Sequence, residues 1–153
     1  MLEILNIAPL NWYGIAASLA AGGIIGLERQ LLGKPVGMRT SMLITLGTYV
    51  FIVISNSVAD SATDPSRIIG QVVTGIGFIG AGVMLTKNGS VVGVTSASAI
   101  WMEAAIGSSI GLNYFGTGIK LALLTVIVLV GVDVAEHTLK AFQRGVYKKM
   151  LQK

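Results

Sequence analysis

The chain of 153 residues contains no cysteine and a single histidine, His137. The first absence excludes disulfides, thiolate metal ligands and a cysteine nucleophile. The second argues against a histidine-built metal site or a Ser-His-Asp triad. No nucleophile–base pair or catalytic motif is visible elsewhere, so an enzyme is not expected. Charge is scarce too: 12% of residues are charged and 53% are hydrophobic, where a soluble domain carries about a quarter charged residues. That balance points to a membrane protein and a lipid bilayer as its first partner. The formal net charge of +4 invites a nucleic-acid reading, but the placement of the charges gives another account. No basic segment precedes the first apolar stretch, where Glu3 is the only early charge, so a cleaved signal peptide is not expected.

What is abundant is apolar sequence in lengths that suit a bilayer. Five stretches come near the ~20 residues needed to span one: Leu10 to Leu27, Ser41 to Ala59, Ile68 to Thr86, Val94 to Leu112 and Phe115 to Val134. Trp12 and Tyr13 stand at the start of the first, as interfacial aromatics do. Five spans place Arg29, Lys34, Arg39, Lys87, Lys140, Arg144, Lys148, Lys149 and Lys153 on one side, and leave Arg67 and Lys120 on the other. The positive-inside rule then sets the N-terminus outside and the C-terminus in the cytoplasm. The expected fold is all-α and polytopic, with residues 1–135 as a transmembrane domain and 136–153 as a basic amphipathic tail. In the tail, Leu139, Phe142, Val146 and Met150 recur at helical spacing opposite lysines, as in a helix resting at headgroups or docking a cytoplasmic partner.

The third stretch is unusual. From Gly70 to Met84, five of fifteen residues are glycine: Gly70, Gly75, Gly77, Gly80 and Gly82. Gly75-x-Gly77-x-x-Gly80 spells the dinucleotide fingerprint, yet that motif works only after a strand and at a helix start. Inside an apolar helix it reads instead as close packing, because small residues let helix backbones approach. The same spacing recurs at Gly22-x-x-x-Gly26, Gly77-x-x-x-Ala81 and Gly107-x-x-x-Gly111. The first, third and fourth helices are therefore expected to form the tight core, with the third as its spine.

Polar residues inside apolar stretches are the candidates for function. Glu103 falls at the middle of the fourth, where an ionised carboxylate costs at least about 2.5–3.5 kcal/mol. Ser96, Ala99, Gly107 and Ile110 share its helical face. Two readings stand: a hydrogen-bonded carboxylate that locks helices together through Gln71 or Thr74, or a cation or proton site. Glu28-Arg29-Gln30, followed by Lys34, Gly37, Arg39 and Thr40, makes a polar knot at the inner end of the first helix, with simple snorkelling as the plainer account. On the opposite side Asp60, Asp64 and Arg67 form a second polar group, in which Asp64-Pro65-Ser66 also reads as a helix cap. Carboxylate oxygens suit Mg²⁺, which makes Asp64, Asp60 and Glu103 the candidate cation contacts.

Three segments in order resemble the MgtC/SapB family. They are Gly22-x-x-Ile25-Gly26-Leu27-Glu28-Arg29-Gln30 with Lys34-x-x-Gly37-Met38-Arg39-Thr40, then Asp64-x-x-Arg67-Ile68 leading into Gln71 to Gly82, then Gly93-Val94-Thr95-Ser96-Ala97 through Trp101 to Gly107. The resemblance implies a bacterial inner-membrane protein linked to magnesium homeostasis, with polar positions carried over onto Glu28, Arg29, Arg39, Asp64 and Arg67. It also implies association with virulence in some members, and restraint of the F-type ATP synthase in one. Longer members add a soluble C-terminal domain resembling an ACT fold, and regulation through such a domain is not expected here. Glu103 stands where the family would have a small or apolar residue, which points to a property of this chain's own subgroup.

Two functions follow as expectations. One is transport or sensing of Mg²⁺ or another cation, with Asp64 and Glu103 at the cation and Glu28, Arg29 and Arg39 at the cytoplasmic end. The other is a regulatory membrane protein that modulates a second complex by helix packing. Mg²⁺ enters as ligand or substrate and no resident cofactor is expected. A homo-oligomer would give five short helices more room to enclose a pathway.

Overall fold

A computed structural model describes residues 6–59, 64, 66–87 and 90–138. The tail beyond Thr138 and Asp60 lie outside them. Five helices and one small hairpin follow in order: α1 (Trp12–Leu31), α2 (Met38–Val58), α3 (Ser66–Gly82), β1 (Leu85–Lys87), β2 (Ser90–Val92), α4 (Val94–Gly111) and α5 (Phe115–Thr138).

Local chemistry sets the boundaries. The Asn11 side chain accepts the Gly14 backbone N–H at 2.6 Å and so caps α1, satisfying one of the free donors of the first turn. At the other end Gly33 takes a left-handed conformation, φ +62°. The Lys34 N–H then reaches the Arg29 carbonyl and the Gly33 N–H the Gln30 carbonyl, the paired bonds of a glycine-terminated helix. The Gln30 side chain accepts the first N–H of α2, at Met38. α3 stops at Gly82, four residues short of the stretch expected from hydropathy, because Leu85 to Lys87 pair antiparallel with Ser90 to Val92. That hairpin is the one departure from an all-helical fold among the described residues.

α4 touches all four other helices, with α5 packed on α1 and α4 and α3 leaning mainly on α4; α1 and α4 both pack closely against α2. Glycines on α1 and α4 admit it. A Cβ added to Gly22 would lie 2.6 Å from the Ser41 carbonyl oxygen, and one on Gly26 would lie 2.6 Å from Met38 Cα. On α4, a Cβ at Gly107 would lie 2.5 Å from the Thr45 carbonyl oxygen, and one at Gly111 2.6 Å from Ile52 Cβ. The first three are approaches to the α2 backbone and the fourth is to the Ile52 side chain, and a larger residue at any of them forces a shift. Around them Ala21, Ile25, Tyr49, Ile106, Ile110 and Ala122 form the main apolar core.

The expected spine is not one within this chain. On α3 only Ile76 and Gly80 are buried. Gly70, Gly75, Gly77 and Gly82 have nothing near a built Cβ, and Gly80 makes only an ordinary contact with Ala97 at 3.7 Å. The tight core is formed by the first, second and fourth helices, not the first, third and fourth. The outward surface is apolar: Phe78, Leu123, Leu124, Ile127 and Val128 are all exposed. Two helical segments, Met38–Val58 and Phe115–Ala135, are long and apolar enough to cross a membrane.

Candidate functional site

Where α1, α2 and α4 meet, the close approach encloses charge. Glu28 and Arg29 lie in the last turns of α1, and they are 9% and 3% exposed. Snorkelling to an interface would have left them open. The Arg29 guanidinium instead crosses to α4, where one terminal nitrogen donates to the Ser96 hydroxyl at 2.6 Å. Ser96 and Glu103 are seven residues apart, two helical turns, so both project from one face of α4. Glu103 is fully enclosed, with Ser41 of α2 and Arg29 of α1 facing its carboxyl group. The expectation that it would meet Gln71 or Thr74 fails. Both of those are exposed on α3, and the Thr74 hydroxyl donates to its own helix at the Gly70 carbonyl.

The cluster is polar beyond what its own bonds satisfy. Among the described residues, four buried side-chain polar atoms have no hydrogen-bond partner: Glu28 Oε2, Arg29 Nε and both carboxylate oxygens of Glu103. Three of the four belong to the Arg29–Glu103 group, and the fourth is on Glu28, the buried residue that precedes Arg29 in α1. Buried polar atoms are nearly always paired, and an orphan marks a strained, functional or ligand-binding position. A charge enclosed without a partner costs several kcal/mol. Arg29 offsets part of that cost for Glu103 through charge attraction. The Ser41 hydroxyl faces the same carboxyl group from α2, and the Thr45 hydroxyl is taken up by the Ser41 carbonyl of its own helix.

The other expected site residues lie elsewhere. Arg39 and Gln30 are exposed at the start of α2 and the end of α1. Asp64 and Arg67 are exposed at the far end of α3. The Asp64 carboxylate accepts the Ser66 backbone N–H at 2.9 Å. Hydrogen bonds from the Ser66 side chain and backbone hold its pKa below the usual carboxylate value. Asp64 and Glu103 do not converge. Gly80 lies beside Ala97 and the two helices run antiparallel. A rise of ~1.5 Å per residue then puts Ser66 ~21 Å and Glu103 ~9 Å from that level, or ~12 Å apart along the bundle. Among the described residues, no group of three or more His, Asp or Glu is placed to hold a metal ion. Open apolar clefts run between α4 and α5 and between α3 and α4, but neither is lined by Glu28, Arg29 or Glu103. Ser41 is the member of the cluster that sequence reasoning missed. Its signal was weak: one hydroxyl beside the Arg39-Thr40 motif.

Comparison with known proteins gives the same three polar segments a context. The profile of the MgtC family matches residues 15–138. YhiD of Escherichia coli K12, named as a candidate magnesium transporter, is 45% identical over 122 residues, covering 75% of this chain and 56% of YhiD. An uncharacterized protein of Haemophilus influenzae is 36% identical over 141 residues, 86% of this chain and 56% of that protein. Protein MgtC of Salmonella typhimurium is 37% identical over 110 residues, 72% of this chain and 47% of MgtC. The chain thus spans about half the length of the curated relatives it matches. No solved structure matches it. The family match covers all but the first turn of α1, the whole of α2 to α5 and the buried residues Glu28, Arg29, Ser41, Ser96 and Glu103, and the chain belongs to the MgtC family.

Proposed function

We propose that the protein acts in bacterial magnesium homeostasis from within the inner membrane, transporting or sensing the cation, with the Glu28–Arg29–Glu103 cluster as its functional centre. The observation that carries this reading is the cluster itself: three enclosed ionisable residues with four orphaned polar atoms, in a chain related to one named for magnesium transport. The helices cross the bilayer five times, with the N-terminus outside and the basic ends of α1, α2 and the hairpin in the cytoplasm. Asp64 meets the cation at the outer face through water, as Mg²⁺ keeps much of its hydration shell. Glu103, far from Asp64 and faced by a guanidinium, acts on the cation through its charge. Arg39 guards the cytoplasmic end.

Purified protein in liposomes carrying a Mg²⁺-sensitive dye tests transport, and growth of cells on limiting Mg²⁺ tests sensing. Glu103→Gln and Asp64→Asn are each expected to reduce the response several-fold. Wild-type-like behaviour of both variants in both assays would sink the reading.

A second reading has its own observation. The unpartnered glycines of α3, Gly70 with Gly77 on one side and Gly75 with Gly82 on another, leave room for a helix of another membrane complex, for example the rotary ATP synthase, which the protein would modulate without moving an ion. Here Gly75→Leu and Gly77→Leu abolish function and co-purification of a defined partner, while Glu103→Gln leaves both intact.

A further inference from the structure

We propose that Glu103 is a proton-binding site, and that proton uptake there loosens the tie between α1 and α4. The inference rests on the membrane placement given above but not on magnesium.

The choice of ligand follows from what surrounds the carboxyl group. A bound Mg²⁺ needs six oxygens in octahedral array at about 2.0–2.1 Å. The groups that act on the Glu103 carboxyl are the Ser41 hydroxyl and the Arg29 guanidinium, which repels any cation. The carboxyl group is fully enclosed, which leaves no place for a hydration shell. A proton needs neither shell nor room. Both carboxylate oxygens lack a hydrogen-bond partner among the described residues, so either can take it up.

The charged groups near the site are few. α1 presents Arg29 and, beside it, Glu28, the most accessible member of the cluster at 9% exposure. α2 presents Ser41 and no enclosed charge, since Arg39 is exposed. α3 and α5 carry Arg67 and Lys120, both exposed, and Asp133 partly buried near the end of α5. Among these charged groups Arg29 is the one that acts on Glu103, through space and not by a hydrogen bond.

The step is simple to balance. The carboxylate takes one proton from hydronium, which is left as water, and becomes a neutral carboxyl, and the attraction to Arg29 ends. Arg29 then keeps only its bond to Ser96, on the same helix as Glu103. The carboxyl O–H becomes a donor that can turn to the Ser41 hydroxyl of α2. The same proton thus weakens the α1–α4 tie and strengthens the α2–α4 tie. A buried carboxyl that changes charge in this way is the element by which membrane proteins couple protonation to helix movement.

The test is infrared spectroscopy of the protein in lipid nanodiscs without Mg²⁺, from mildly acidic to mildly alkaline pH. The expected result is a protonated-carboxyl C=O band that falls as pH rises, is missing in Glu103→Gln and persists in Glu28→Gln. Should Glu103→Gln fail to fold, isotopic labelling of glutamate in the wild type and in Glu28→Gln assigns the band instead. A spin-label distance between α1 and α4 should change over the same pH range. A band absent throughout means a permanent carboxylate, and a band constant throughout means a permanent acid; either overturns the proposal. A titrating Glu103 in a protein with no Mg²⁺ phenotype would sink the magnesium reading alone.

Discussion

Two sets of glycines, both expected to pack helices closely, do opposite things in this molecule. Gly22, Gly26, Gly107 and Gly111 on α1 and α4 each meet α2 so closely that a methyl group would collide with it. Gly70, Gly75, Gly77 and Gly82 on α3 meet nothing in the chain. Glycine makes a hole in a helix surface, but only a neighbour turns the hole into a contact. The neighbour here is α2, whose facing residues Ser41, Thr45 and Thr48 are small, with hydroxyls free to bond their own helix, as the Thr45 hydroxyl does to the Ser41 carbonyl. Such residues present little volume, and helices in lipid approach closely through them. The filled holes also bring Arg29, Ser41 and Glu103 together, so tight packing and the charge cluster are one construction. α3 belongs to neither.

The largest effect should come from breaking the charge cluster. Arg29→Met leaves Glu103 enclosed without the charge that faces it, a loss bounded by the about 3–5 kcal/mol for breaking a buried pair in contact. The double variant Arg29→Met/Glu103→Leu should recover much of that loss, because an apolar pair has no stranded charge. Unfolding of the reconstituted protein in graded denaturing detergent reads both. Additive losses would mean that the two residues do not interact.

Next come the filled holes. Gly22→Ala and Gly107→Ala each force a methyl group against an α2 carbonyl, and overpacking of this kind costs roughly 1–3 kcal/mol. The same unfolding assay should show both variants destabilised, with Gly107→Ala also disturbing Glu103, one helical turn away. A neutral result at both positions would mean that α2 sits farther off than the structure places it.

The bare glycines should behave in reverse. Gly75→Ala and Gly77→Ala meet no atom, and alanine is favoured over glycine inside a helix by roughly 0.5–1 kcal/mol. Each should therefore stabilise the isolated protein slightly. If instead either variant lowers stability or function, a partner helix occupies that face, and the contrast between the two glycine sets dissolves into one rule.

The sequence carried the number and order of the helices because apolar length is a one-dimensional property, readable in a window. It carried the enclosed position of Glu103 as well, since Ser96, Gly107 and Ile110 share its face by helical spacing alone. Which helix fills a glycine face is a three-dimensional matter, and there the pattern misled: the densest glycine run was the least packed. α2 went unnoticed as the partner of both glycine pairs because the helix that inserts carries few glycines of its own. The hairpin at 85–92 was missed because Leu85, Val91 and Val92 extend the apolar character of their neighbours. Glu28 and Arg29, which sequence placed at an interface, lie inside because α1 runs on to Leu31 and carries them below α2 and α4.

The smallest effect is expected at the far end of the peripheral helix, at Asp64. Its carboxylate accepts from Ser66, and these hydrogen bonds favour the ionised form and lower its pKa from the ordinary value. A group whose folded pKa is depressed contributes stability that is present above the ordinary carboxylate pKa. That contribution is lost as pH falls through the lowered value. The first turn of α3 should therefore exchange its amide hydrogens faster, relative to the intrinsic rate, in acid than at neutral pH. Asp64→Asn keeps an acceptor for the Ser66 N–H and should remove the pH dependence while leaving the turn protected at neutral pH. Asp64→Ala should expose it at every pH. Because Asp64 is exposed and α3 stands apart from the charge cluster, neither change should alter the protection of α1, α2 or α4. A matching loss there would show that α3 is coupled to the bundle more tightly than its bare glycines indicate.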